Sequence, residues 1–110
     1  MTGQLSEKVC VPCRGGVPAL NPEESHALVS QVEGWSVIDN HHLDKELTFP
    51  NFSTALEFVN AVGAVAEEQR HHPEISFTWG RARVKIWTHK IDGLTESDFV
   101  LAAKIDRIRS

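Results

Sequence analysis

Apolar residues recur along the chain at two different periods, and the changes of period mark its elements. The longest stretch of helical period runs from about Ser53 to Arg70. Phe52, Leu56, Val59, Val62 and Ala66 return every three or four positions, and Phe58 and Val65 widen the apolar face. Pro73 prevents the helix from continuing. A second helical stretch, Phe99, Leu101, Ala102, Ile105 and Ile108, follows Thr95-Glu96-Ser97-Asp98, which has the spacing of a capping box. A weaker one, Ala27, Leu28 and Val32, follows Asn21-Pro22-Glu23-Glu24. Here Asn21 suits a cap, Pro22 the first turn, and the acids the positive end of the helix dipole. Gly34 is expected to end it.

Between these helices the period falls to two. Trp35 to Ile38 predicts a short strand, "DNHH" (Asp39 to His42) a turn, and Leu43 to Phe49 a second strand with Leu43, Leu47 and Phe49 on one face. Ile75, Phe77 and Trp79 alternate as a third strand, with Trp79 expected in the core. After the turn at Gly80-Arg81, Val84 and Ile86 alternate with Lys85 and Trp87 in a fourth. The order is helix, two strands, helix, two strands, helix. It predicts an α+β fold, a four-stranded antiparallel sheet with three helices on one face. Residues 1–20 hold three of the seven glycines and two of the five prolines, and read as an irregular leader to a single domain over 21–110.

Composition narrows the function. At 110 residues there is room for one core, and a second copy is a natural way to cover apolar surface left over. The formal charge of −4 argues against nucleic acid as a partner, since such binding needs a basic face to neutralise phosphates. No apolar run is long enough to span a membrane, and "MTGQLSEKVC" has neither the basic nor the apolar region of a secretory signal, so no membrane association and a cytoplasmic location are expected. Cys10 and Cys13 lie too close in sequence to staple distant segments. They lack the other half of a four-cysteine zinc site. "RGGVP" follows them in place of the helix that activates a redox pair, so two free thiols are the simpler reading.

Chemistry concentrates in "EEQRHHPEISFTW", Glu67 to Trp79, where His71 and His72 fall at the end of the long helix. A protonated histidine in a last helical turn complements the dipole, and for a single histidine that would suffice. A hairpin of the third and fourth strands brings His89, with Trp87 nearby, beside the start of the third strand. Three imidazoles at one sheet end, next to an indole, predict a concave acid–base site for a flat heterocycle. His71, His72 and His89 with Glu67 or Asp98 are also ligand types for a metal. Adjacent helical residues point about 100° apart, however, and there is no His-x-x-x-His spacing, so metal-free chemistry is favoured. His41-His42 reads as a solvated turn, and neither it nor His26 has an identifiable chemical partner.

These spacings resemble a known signature. Glu67, three residues, His71-His72-Pro73, five residues, Trp79, nine residues, His89, eight residues, Asp98 is similar to the pattern of the pterin-4a-carbinolamine dehydratases. Gly34-Trp35, Phe49-x-x-Phe52, "KIWTHKIDGLTESDF" and "LAAKID" are similar to bacterial-type members, and the likeness covers roughly residues 20–108. The resemblance implies the same sheet-and-helix order, dimers that join sheets edge to edge, and tetramers in some members. It implies a lyase that removes water from a 4a-hydroxytetrahydropterin to give quinonoid dihydropterin, in the recycling of tetrahydrobiopterin, with no cofactor and no metal. By motif position, His71, His72 and His89 would be catalytic, and Glu67, Pro73, Thr88 and Asp98 would bind substrate. Glu67, one turn before His71, would orient that ring or hold the pterin. Asp98 would serve equally as a helix cap. Animal members of the family also bind a homeodomain transcription factor, which makes an interaction module the alternative, as is a role in another pterin pathway such as molybdopterin metabolism.

Overall fold

Two hairpins build one sheet. The computed structural model describes residues 5–7 and 18–108. Strands β1 (Ser36–Ile38) and β2 (His42–Thr48) form the first hairpin, and β3 (Glu74–Thr78) and β4 (Arg81–Ile86) the second. β2 and β4 pair at the centre, so the order is β1-β2-β4-β3 with every neighbour antiparallel. The first turn carries positive φ at both central residues, Asp39 (53°) and Asn40 (50°), and His41 N–H donates to Ile38 O at 2.8 Å. These are the features of a type I′ turn, whose twist matches the strands it joins. In the second turn Gly80 has φ 78°, and a Cβ there would lie 3.2 Å from the Phe49 carbonyl oxygen. Phe49 N–H donates to Gly80 O at 2.8 Å, which holds the two hairpins together.

One face of the sheet is apolar and the other charged. Leu43 and Leu47 of β2 and Ala82, Val84 and Ile86 of β4 are buried on the inner face. On the outer face, Arg83 donates to Glu46 at 3.0 Å. The inner face is covered by α1 (Pro22–Val29), α2 (Phe52–Gln69) and α3 (Glu96–Ile108). The main contributions are Phe58 and Val62 from α2 and Phe99, Leu101, Ala102 and Ile105 from α3. A single 3₁₀ turn, Leu5–Glu7, packs on α3, and its Leu5 joins this core. Cys10 and Cys13 lie outside the described residues. No helix among those described is long and apolar enough to cross a membrane.

Several details differ from the sequence reading. Asn21 and Glu24 form a reciprocal capping box, at 2.8 and 2.9 Å, but α1 stops at Val29, five residues before Gly34. Ser30 turns its hydroxyl back onto Ala27 O at 2.7 Å, and two further i→i+3 bonds tighten the exit. Gly34, at φ 79°, shapes the approach to β1 instead. Trp79 is not a core residue. The last ladder pair is Thr78 with Arg81, which leaves Trp79 in the two-residue turn with 67% of its surface exposed. Phe52 and Leu56 belong to the helical stripe but lie outside the core, because α2 overhangs the edge strand β3; Phe52 instead meets Phe77 at 5.3 Å between ring centroids. Among the described residues β3 is thus an edge strand, beside exposed Phe52, Leu56, Phe77 and Trp79.

Polar anchors fasten α3 to the sheet. Asp106 accepts from Lys45 Nζ (2.8 Å), Trp35 Nε1 (2.8 Å) and Glu33 N–H (3.0 Å). Lys45 shares the face of Leu43 and Leu47, and this carboxylate compensates its charge there.

Candidate active site

Helix α2 ends before the histidines, and how it ends determines where they point. Arg70 adopts the left-handed conformation at φ 54°. Its N–H donates to Glu67 O at 3.3 Å, and His71 N–H to Ala66 O at 3.1 Å. This is a Schellman cap, which satisfies carbonyls that the helix leaves orphaned. His71 and His72 therefore lie past the helix and not in its last turn. Pro73 does not stop the helix, which has already ended; it stands half-buried at the entry to β3.

The two rings have different partners. His71 turns inward, and its Nε2 lies 2.5 Å from Asp98 Oδ1; the His71 side chain is 14% exposed and that of Asp98 0%. His72 turns outward, and its Nε2 lies 2.5 Å from Glu67 Oε2, with both side chains exposed. Glu67 thus orients His72 and not His71, because the left-handed residue redirects the chain after one helical turn. In each pair the carboxylate can only accept, so the imidazole Nε2 carries the proton, and Nδ1 is left to take or give one.

Asp98 has two jobs. Its Oδ2 accepts from Thr95 N–H at 2.8 Å, which caps α3 as the sequence suggested. Oδ2 also accepts from Thr88 Oγ1 at 2.9 Å. Since Thr88 spends its one proton on Asp98, the 3.0 Å contact between the two threonine hydroxyls is donated by Thr95. Thr95 is therefore not the other half of a capping box, and Asp98 N–H donates to the Thr95 carbonyl at 3.1 Å. The network connects the end of α2, the end of β4 and the start of α3 through one buried carboxylate.

The hairpin register places Glu74 opposite Lys85, so the start of β3 lies beside the end of β4. Thr88, bonded to Asp98, is the residue before His89. The His89 ring stacks on Trp87, with centroids 4.4 Å apart and planes 5° from parallel. The loop beyond is pinned by the Thr88–Gly93 bridge and by Asp92 N–H donating to His89 O at 3.3 Å.

The sequence reading found no partner for His41 or His42, and the structure supplies several, Asp92 among them. His41 and His42 do not form a solvated turn. Both are half-buried against Trp87, at 5.5 and 6.0 Å between centroids. Their Nδ1 atoms are 3.1 Å apart, and His41 Nε2 lies 2.6 Å from Asp92 Oδ1. Burial is the main cause that lowers the pKa of His42 from 6.5, with His41 and Lys85 adding to it and Asp44 and Asp39 opposing. The missing signal was strand register. Leu43 pairs with Ile86, so His42, one step earlier, falls beside the end of β4 and hence Trp87. Among the described residues no group of three or more His, Cys, Asp or Glu side chains is arranged to hold a metal ion.

Comparison with known proteins identifies the family. Residues 18–108 match the family model described as pterin 4 alpha carbinolamine dehydratase. A Rubrobacter xylanophilus protein named for that family is 61% identical over 105 residues, covering 96% of this chain and 98% of its own. A Rickettsia bellii protein of the same name is 50% identical over 111 residues, covering 100% and 98%. Among solved structures, the crystal structure of a transcriptional coactivator/pterin dehydratase from Brucella melitensis superposes with a TM-score of 0.79 at 30% identity, covering 84% of this chain and 100% of the other. The fold, the histidine positions and these matches over nearly the whole chain have one reading: the chain belongs to the pterin 4 alpha carbinolamine dehydratase family.

Proposed function

We propose that this protein is a hydro-lyase that dehydrates a 4a-hydroxytetrahydropterin to quinonoid dihydropterin and water. The reaction asks for two proton transfers. Hydroxide is a poor leaving group, so an acid protonates the 4a-oxygen as the carbon–oxygen bond breaks. A base removes a proton from the neighbouring ring nitrogen as the carbon–nitrogen double bond forms. Imidazoles suit both steps near neutral pH. The observation that carries the reading is the His71–Asp98 pair: a mostly buried ring, held through Nε2 by a fully buried carboxylate, with Nδ1 left for chemistry.

In this reading His71, His72 and His89 exchange protons with the substrate. Glu67 fixes His72, and Asp98 fixes His71 while Thr88, the residue before His89, donates to the same carboxylate. Pro73 stiffens the backbone between His72 and β3. The flat pterin would lie against the imidazole faces. A second copy would pair along the β3 edge and cover Phe77 and Trp79. The same exposed patch would serve a protein partner if the chain acted as an interaction module, as the name of the Brucella neighbour pairs the two roles.

The test is turnover. Purified protein is added to freshly generated 4a-hydroxytetrahydropterin, and loss of the carbinolamine absorbance is compared with the uncatalysed rate. Acceleration proportional to enzyme concentration supports the reading, and a rate equal to buffer alone rejects it.

A further inference from the structure

We infer that Asp92, His41 and His42 form a proton-sharing relay that, together with Trp87, positions the His89 ring. The inference rests on the dehydratase reading only for what His89 does; the relay itself stands on contacts outside the His71–Asp98 pair.

His89 is held in two ways, and both lead to His41. Its backbone carbonyl accepts from Asp92 N–H at 3.3 Å, and the Asp92 side chain reaches His41 Nε2 at 2.6 Å. Its ring lies flat on Trp87, and the Trp87 ring is in turn met by His41 and His42. His41 thus clamps the loop that carries His89 and also the indole on which His89 lies. Asp92 has φ 52°, and the β1–β2 turn has two residues of positive φ, so both partners are presented by tight turns rather than by long loops.

The proton count gives the relay its character. Asp92 Oδ1 can only accept, so His41 Nε2 carries a proton. The 3.1 Å Nδ1–Nδ1 contact then needs one proton between two nitrogens. His42 donates it when His41 is neutral, and His41 donates it when His41 is the cation. If both rings are cations, two N–H groups face each other and the contact opens. The groups around the pair are Asp92 on His41, and His41, Lys85, Asp44 and Asp39 around His42. Burial, His41 and Lys85 all oppose a charge on His42, which disfavours the arrangement in which both rings are cations.

Asp92→Ala is the first test, because the Asp92 side chain is 83% exposed and its removal leaves the core untouched. Asp92→Gly, which suits the φ of 52°, must give the same result for the cause to be the lost carboxylate and not backbone strain. The first readout is the proton NMR of the His89 ring, whose carbon-bound protons sit over Trp87 and are shifted upfield by its ring current. Asp92→Ala and His41→Ala should move these resonances toward unstacked values, while His71 resonances stay in place. Asp92→Asn, which keeps an acceptor oxygen, should restore most of the shift. The second readout is dehydration, where Asp92→Ala should lower kcat roughly ten- to a hundredfold, as expected for a misplaced group, with KM little changed. His89 resonances unmoved in Asp92→Ala would overturn the relay whatever the activity. Moved resonances in a protein whose wild type shows no turnover would uphold the relay and reject the dehydratase reading.

Discussion

His71 Nε2 lies 2.5 Å from Asp98 Oδ1 across a separation of 27 residues, and Asp98 is the more deeply buried of the two. The carboxylate that caps α3 is therefore also the group that fixes the tautomer and direction of a candidate catalytic ring. A purely structural cap and a catalytic orienter make different predictions for the same substitution.

Asp98→Asn separates the two roles. The amide keeps an oxygen for Thr95 N–H and Thr88 Oγ1, but turns an N–H₂ toward His71 and reverses its tautomer. Dehydration should fall on the order of 10²–10⁴ in kcat, the range for losing general acid–base action. Asp98→Ala should in addition destabilise the fold by about 2–3 kcal/mol, since it strands buried donors. The check is kcat with thermal melting for both variants. Normal kcat in the Asp98→Asn variant would leave Asp98 as a cap alone.

His42 sets a pH dependence. Its folded pKa lies below the unfolded value of 6.5, chiefly because of burial. Below that value the unfolded chain binds more protons at this site than the folded one, so stability rises with pH there. The contribution is complete above pH 6.5 and is lost as pH falls from there to the folded pKa. Melting temperature measured downward from about pH 7.5 should decline less steeply in His42→Gln than in wild type. Identical slopes would contradict the assignment.

The edge of β3 predicts an assembly. Phe77 and Trp79 are exposed on what is, among the described residues, an edge strand and its turn, a combination that invites a second copy. Light scattering at micromolar concentration should give at least a dimer for wild type. Phe77→Lys with Trp79→Lys should give a monomer, because charges on an edge strand oppose pairing. A strictly monomeric wild type would contradict this.

The element order and the antiparallel sheet were legible because they rest on periodicity, and the place of His71 and His72 at the end of α2 because it rests on spacing. Leu43 and Leu47 alternate, α2 repeats at helical period, and the Pro73 segment stands at a change of period. What escaped depends on geometry that periodicity does not carry. Arg70 takes a left-handed conformation usually left to glycine, so nothing in its side chain announces that Glu67 will reach His72 and not His71. Trp79 continues the alternation of β3 by one step, but the ladder stops at Thr78. The two His-His pairs look alike in the sequence. His41-His42 becomes more than a turn only when β2 is laid against β4 and Asp92 is brought in from a loop 51 residues away.

Acid–base dehydration by the histidines is decided by kcat/KM for the carbinolamine in wild type, His71→Ala, His72→Ala and His89→Ala, each checked for native melting. Wild type should accelerate the reaction, and each substitution should lower kcat/KM on the order of 10²–10⁴. Wild-type rates retained in all three folded variants would contradict it.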